Sequence, residues 1–162
     1  MNLQRCIALV IGALLVVPAF AQMKPVADQP DDSMSILREQ LKKDKKAVVA
    51  TNMQLTQAEQ NEFWPLYEEY QKELHRINDR IAILIVTYAK EHNAGTLTDA
   101  KALKLVEEAI AVDDAEAKLR QAFLPRVAKV LPGRKAARYM QIENKIRALV
   151  KYELAAEVPL AK

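Results

Sequence analysis

Hydrophobic positions recur at helical spacing over most of this chain. Phe63, Leu66, Tyr67, Tyr70, Leu74, Ile77, Ile81, Leu84, Ile85 and Tyr88 follow one another at three- and four-residue steps. Apolar residues at that spacing line one face of a helix, so the pattern predicts a long amphipathic helix over 56–92. Its start is written in Leu55-Thr56-Gln57-Ala58-Glu59. There the Thr56 hydroxyl can accept from the Glu59 amide while the Glu59 carboxylate reaches back to the Thr56 amide. Asn93-Ala94-Gly95 marks its end. A third helix opens the same way at Leu97-Thr98-Asp99-Ala100-Lys101, carries Leu105, Ala109, Val112, Leu119, Phe123 and Val127, and stops at Leu131-Pro132-Gly133. A fourth is expected from Arg134 to Ala156, with Met140, Ile142, Ile146, Leu149, Val150 and Leu154 as its apolar side. Ahead of these, a first helix is expected from Ser33 to Ala50, capped by Asp32 or Ser33, with Leu37, Leu41 and Val48 on one face. Pro65 falls inside its stripe and predicts a kink or a restart, and Pro125 predicts a bend. No segment alternates convincingly with period two, so the expected class is all-α.

Four amphipathic helices joined by short loops must bury their stripes against one another. The second and third, joined by a tight turn, should form an antiparallel hairpin. At ~1.5 Å per residue the second helix would be roughly 55 Å long, which favours an elongated hairpin over a globule. The run Ile81-Ala82-Ile83-Leu84-Ile85-Val86 is apolar on every side of a helix. Such a segment calls for cover all round, from the other helices or from a second subunit.

The first residues carry a different message. Arg5 precedes an apolar run from Ile7 to Val17, and Ala19-Phe20-Ala21 supplies small residues at the positions a signal peptidase reads. This is the pattern of a secretory signal cut after Ala21, and the run is too short to anchor in a bilayer. Residues 22–32, polar and holding Pro25 and Pro30, read as a flexible segment, leaving 33–158 as a single all-helical domain. Removing residues 1–21 from the 162 leaves 141. Lys plus Arg then falls from 24 to 23 against 21 Asp plus Glu, a net charge of +2, too small to argue for nucleic acid. The sole cysteine, Cys6, lies within the signal. The exported chain would hold no thiol, and its stability would come from packing alone. The expected compartment is the bacterial periplasm.

Candidate chemistry is thin. The chain past Ala21 has two serines, Ser33 and Ser35, two histidines, His75 and His92, and no cysteine. A Ser-His-Asp or Cys-His arrangement is thereby disfavoured, and no enzyme is expected. The pairs Glu107-Glu108 and Asp113-Asp114 are the acid–base candidates, read chiefly as solvated surface. His75 and Asp79 share a helix face, but a metal site needs three or four convergent ligands. No metal and no cofactor are expected. Trp64, Tyr67 and Tyr70, with Phe63, cluster near Pro65. At helical spacing they are either interior packing or an apolar surface that grips partners. Basic residues gather at Lys42, Lys43, Lys45 and Lys46, and at Arg134, Lys135, Arg138 and Lys145. They form either a solvated face or an electropositive patch for acidic polypeptide, with weak contact to an anionic membrane surface also open.

The secretory signal, the all-helical chain and the Leu-Thr-x-x-Gln/Glu helix start resemble the Spy/CpxP family of periplasmic proteins, named for its LTxxQ motif. Leu55-Thr56-Gln57-Ala58-Glu59 carries the motif with Glu in its last place, and Leu97-Thr98-Asp99-Ala100-Lys101 departs from it at Lys101. The resemblance spans residues 34–155 in architecture. It implies a helical hairpin that forms a homodimeric, curved cradle. It further implies an ATP-independent chaperone, an inhibitor of envelope-stress sensors or a metal-responsive accessory protein. On this reading the partner is an unfolded or sensor polypeptide, met by Trp64, Tyr67 and Tyr70 through apolar contact and by Arg134, Arg138 and Lys145 through charge. A metal-responsive sensor and a structural envelope-assembly protein docking through 81–86 are the alternatives.

Overall fold

A computed structural model describes residues 44–161. The signal at 1–21, the segment 22–32, the caps at Asp32 and Ser33, and Lys42 and Lys43 lie outside the described residues. Within them the protein is all-α: four helices, α1 (Lys45–Met53), α2 (Gln57–Ala94), α3 (Asp99–Val130) and α4 (Gly133–Glu157), and no strand.

Each boundary has a local cause. The Asp44 backbone is extended (φ −164°, ψ 102°) and its carboxylate accepts from the Ala47 amide at 3.1 Å, so α1 begins at Lys45. This corrects the expected unbroken helix from Ser33 to Ala50, because an extended residue cannot continue a helical ladder. α2 opens on the full capping box: Thr56 N donates to Glu59 Oε2 at 2.7 Å, and Glu59 N donates to Thr56 Oγ1 at 3.3 Å. It closes on Gly95 (φ 65°), where Gly95 N donates to His92 O and Thr96 N donates to Glu91 O. That pair of bonds is the Schellman arrangement, which needs a left-handed residue at this place. α3 is capped by the Thr98 hydroxyl alone, through a longer bond of 3.4 Å from Lys101 N. Neither proline stops its helix, so no restart occurs at Pro65. Each leaves one carbonyl without its helical donor, that of Asn61 or Gln121, and both residues are exposed, so water can satisfy the freed oxygen.

Cross-helix pairs fix the register. Glu69 meets Arg126, Arg80 meets Glu108 and Glu91 meets Lys101, so α2 and α3 run antiparallel along their length as a hairpin. α4 turns back along α3 and lies parallel to α2. Gln71 meets Glu143, Asn78 meets Arg147 and Tyr88 meets the Pro159 carbonyl in that order. α1 packs on α4.

All four helices share one core at the end of the hairpin away from its turn. Val49 and Met53 of α1, Phe63, Tyr67 and Tyr70 of α2, Phe123 and Val127 of α3, and Ala136 and Tyr139 of α4 are buried together. Tyr139 is the hub, with ring centroids 5.0 Å from Phe63, 5.9 Å from Tyr70 and 6.2 Å from Tyr67. Towards the turn cover thins. Ile81, Leu84, Ile85 and Tyr88 are half-buried. Ile83 and Val86 lie uncovered on the back of α2, so the other helices do not wrap 81–86.

Candidate binding surfaces

The six residues singled out as contact candidates divide into two groups. Tyr67 and Tyr70 are buried, which corrects their assignment to a contact surface. Their rings fill the core around Tyr139, and burial, reinforced by the nearby Glu143 charge, pushes both phenols well above the usual tyrosine range. Trp64 is half-buried at the edge of the same cluster, 5.1 Å from Phe63 and 5.3 Å from Tyr67, with Lys46 Nζ 5.1 Å above its ring. It keeps a partly open face. Arg134, Arg138 and Lys145 are exposed along α4.

The other chemical candidates lie on the outside. Asp113 pairs with Lys151, Asp114 with Lys118 and Glu108 with Arg80. His75 Nε2 stands 3.6 Å from Asp79 Oδ1, both exposed. Among the described residues no group of three or more His, Asp or Glu side chains converges as a metal site requires. None of the described helices is long and apolar enough to cross a membrane.

Two surfaces stand out among the described residues. The first is a pair of uncovered aliphatic rows, one on each helix of the hairpin near its turn. Ile83 and Val86 on α2 are 67% and 68% exposed, and Leu103, Val106 and Ile110 on α3 are 66%, 56% and 64% exposed. On each helix these residues are three or four apart, so each set forms a short aliphatic row on one side. Single exposed aliphatics are ordinary on a protein surface, whereas grouped ones mark an interaction surface.

The second is a cavity of about 350 Å³ between α2 and α4, floored by α3. Its walls include Leu74, Ile81, Ile85, Ile146, Val150 and Leu154, and also Lys45, Glu116, Arg120, Glu143 and Arg147. Glu116 and Glu143 are 3% and 4% exposed, the only charged residues so deeply covered among those described. Glu143 accepts from Lys45 Nζ at 2.8 Å and from Gln71 Nε2 at 2.9 Å. Glu116 accepts from Arg120 at 3.1 Å and faces Arg147 Nε at 2.6 Å. These two carboxylates were missed by the sequence reading. A signal for them exists: each occupies a core place of its stripe, Val112-Glu116-Leu119-Phe123 and Tyr139-Glu143-Ile146-Leu149, and each has an Arg four residues on.

No family model, no curated protein and no solved structure matches this chain.

Proposed function

We propose that this protein is a non-enzymatic, nucleotide-independent binder of polypeptide, a periplasmic chaperone or envelope-stress accessory protein exported by a signal cut after Ala21. The observation that carries the reading is the pair of uncovered aliphatic rows near the hairpin turn. Five large aliphatic side chains stand more than half exposed there. Leaving them in water forgoes about 25 cal/mol for every Å² of apolar surface, and a partner's apolar segment recovers it. Binding by such rows is shallow and tolerant of sequence, as exchange among unfolded clients requires. Exposed Arg134, Arg138 and Lys145 supply positive charge that draws acidic segments nearer without fixing them. The LTxxQ-like start at Leu55–Glu59 and the helical hairpin agree with the Spy/CpxP likeness.

Light scattering from an aggregating client tests this. Protein at stoichiometric amount should suppress the rise in scatter without ATP, and a variant with Leu103→Ser, Val106→Ser and Ile110→Ser should lose most of the suppression. Those positions are exposed, so each change should cost within about 0.5 kcal/mol of stability. Equal suppression by the variant, or none by the parent, removes the proposal.

A further inference from the structure

The cavity between α2 and α4 is a separate matter from the exposed rows, and what it holds does not depend on the chaperone reading. Its two ends differ in chemistry. Because α2 and α4 run parallel, with Gln71 beside Glu143 and Asn78 beside Arg147, the lining is ordered along the groove. Charged side chains gather at the end beside Tyr70 and Leu74. Past Asn78 the walls are Ile81, Ile85, Val150 and Leu154. From Asn78 to Ile85 the α2 side of that stretch advances seven steps, about 10 Å of helix axis.

The charged end is unbalanced. Lys45, Arg120 and Arg147 face two carboxylates, so formal charges leave one positive charge over. Lys45 is committed to Gln71 and Glu143. The two guanidiniums therefore share Glu116. Arg120 bonds one of its oxygens, while Arg147 Nε and Glu116 Oε2 touch at 2.6 Å without an aligned hydrogen bond, and both atoms are buried. Each guanidinium has five N–H donors. Arg147 is the deeper of the two, its side chain 12% exposed against 33% for Arg120, and with Nη1 given to Asn78 its buried Nε has no aligned acceptor, so an anionic group at this end would add charge-assisted bonds to both.

We infer that this cavity binds a single-chain amphiphile with a carboxylate head: the head beside Arg120 and Arg147, the hydrocarbon tail along Ile81, Ile85, Val150 and Leu154. The volume lies at the small end of the range for ligand pockets and fits a medium-length chain. A peptide with a free C-terminus shares the carboxylate but brings amides into the aliphatic end, where the wall offers no partner and each unpaired group is costly. A cationic amphiphile would add charge to an end already positive.

Calorimetric titration with sodium decanoate, decanol and decyltrimethylammonium, below their self-association concentrations, tests the site. Decanoate should bind saturably, one molecule per chain. Decanol should bind about tenfold or more weaker, the worth of one charge-assisted hydrogen bond, and the cation should give no binding. Arg120→Gln should weaken decanoate about fivefold or more and leave decanol unchanged, since the lost contact is electrostatic. Ala82→Phe, at an exposed position on the cavity wall, should block both while circular dichroism stays the same. Decanol binding as well as decanoate, a leucine-ended peptide binding more tightly than decanoate, undiminished binding to folded Ala82→Phe, or no saturable heat with decanoate overturns the inference.

Discussion

Removing one oxygen from the centre of this protein should make it more stable. Tyr139 is fully buried, and its ring meets Phe63, Tyr70 and Tyr67 edge-on at 5.0, 5.9 and 6.2 Å. Its hydroxyl is buried without a hydrogen-bond partner. The Gln71 amide lies close enough to act on this hydroxyl, but its oxygen already accepts from Lys45 and its nitrogen donates to Glu143. A buried polar group without a partner costs about 1–3 kcal/mol. Tyr139→Phe deletes that cost and keeps the ring, its packing and its edge-on contacts. The expected gain is about 1 kcal/mol, or about 3 °C in melting temperature for a chain of this size. Tyr139→Ala supplies the contrast, since losing the ring should cost about 3–5 kcal/mol. Urea titration followed by circular dichroism, with unchanged slope, reads both. If Tyr139→Phe instead loses about 1 kcal/mol, the hydroxyl is bonded to Gln71 after all, and the view of this core as aromatic packing around an idle oxygen is wrong.

Three further outcomes are expected. Thr56→Ala should cost about 1 kcal/mol, because it breaks a two-way capping box, and Thr98→Ala should cost less, because its single bond is longer; equal losses in urea would refute the ranking. Contacts from Lys135, Arg126 and Lys101 hold the carboxyls of Glu59, Glu69 and Glu91 below their usual 4.5, most strongly through side-chain hydrogen bonds. Their stabilisation is complete above that value and is lost as pH falls through the lower folded values, so urea midpoints should drop in acid and drop less in high salt; flat midpoints down to about pH 3 would contradict this. Burial raises the phenols of Tyr67, Tyr70 and Tyr139 from their usual 10.0, so the fold loses stability as pH climbs above that value; phenolate absorbance from these three should grow in step with helix loss, and ionisation well before unfolding would contradict it.

What the sequence disclosed was set by how local each cause is. Thr56, Thr98 and Gly95 act on amides within a turn of themselves, and all three ends lie where their residues put them. The long stripe from Phe63 to Tyr88 carried the hairpin because period alone decides which face is buried. Asp44 was harder, since an Asp between lysines looks like a surface charge until its carboxylate is seen on the Ala47 amide. Tyr67 and Tyr70 could not be sorted into core or contact surface by spacing, because both roles use the same period; the decision came from Tyr139, some seventy residues on. Glu116 and Glu143 stand at core places of their stripes, yet nothing local marks them as buried charges. Each has an Arg four residues on and looks like an exposed helix pair, while Arg147 and Lys45, which complete them, arrive from other helices. The run 81–86 announced that it needed cover but not that Ile83 and Val86 would go without it.

The central claim is that the aliphatic rows near the hairpin turn hold many different polypeptides. A photoreactive side chain placed at Ile110 in cells tests it most directly, with the same group at exposed Lys129 as control. The account predicts a broad ladder of adducts from Ile110 that grows when envelope proteins are unfolded by heat or acid, and little from Lys129. A single discrete adduct, whether with a second copy of the chain or with one constant partner, would contradict it.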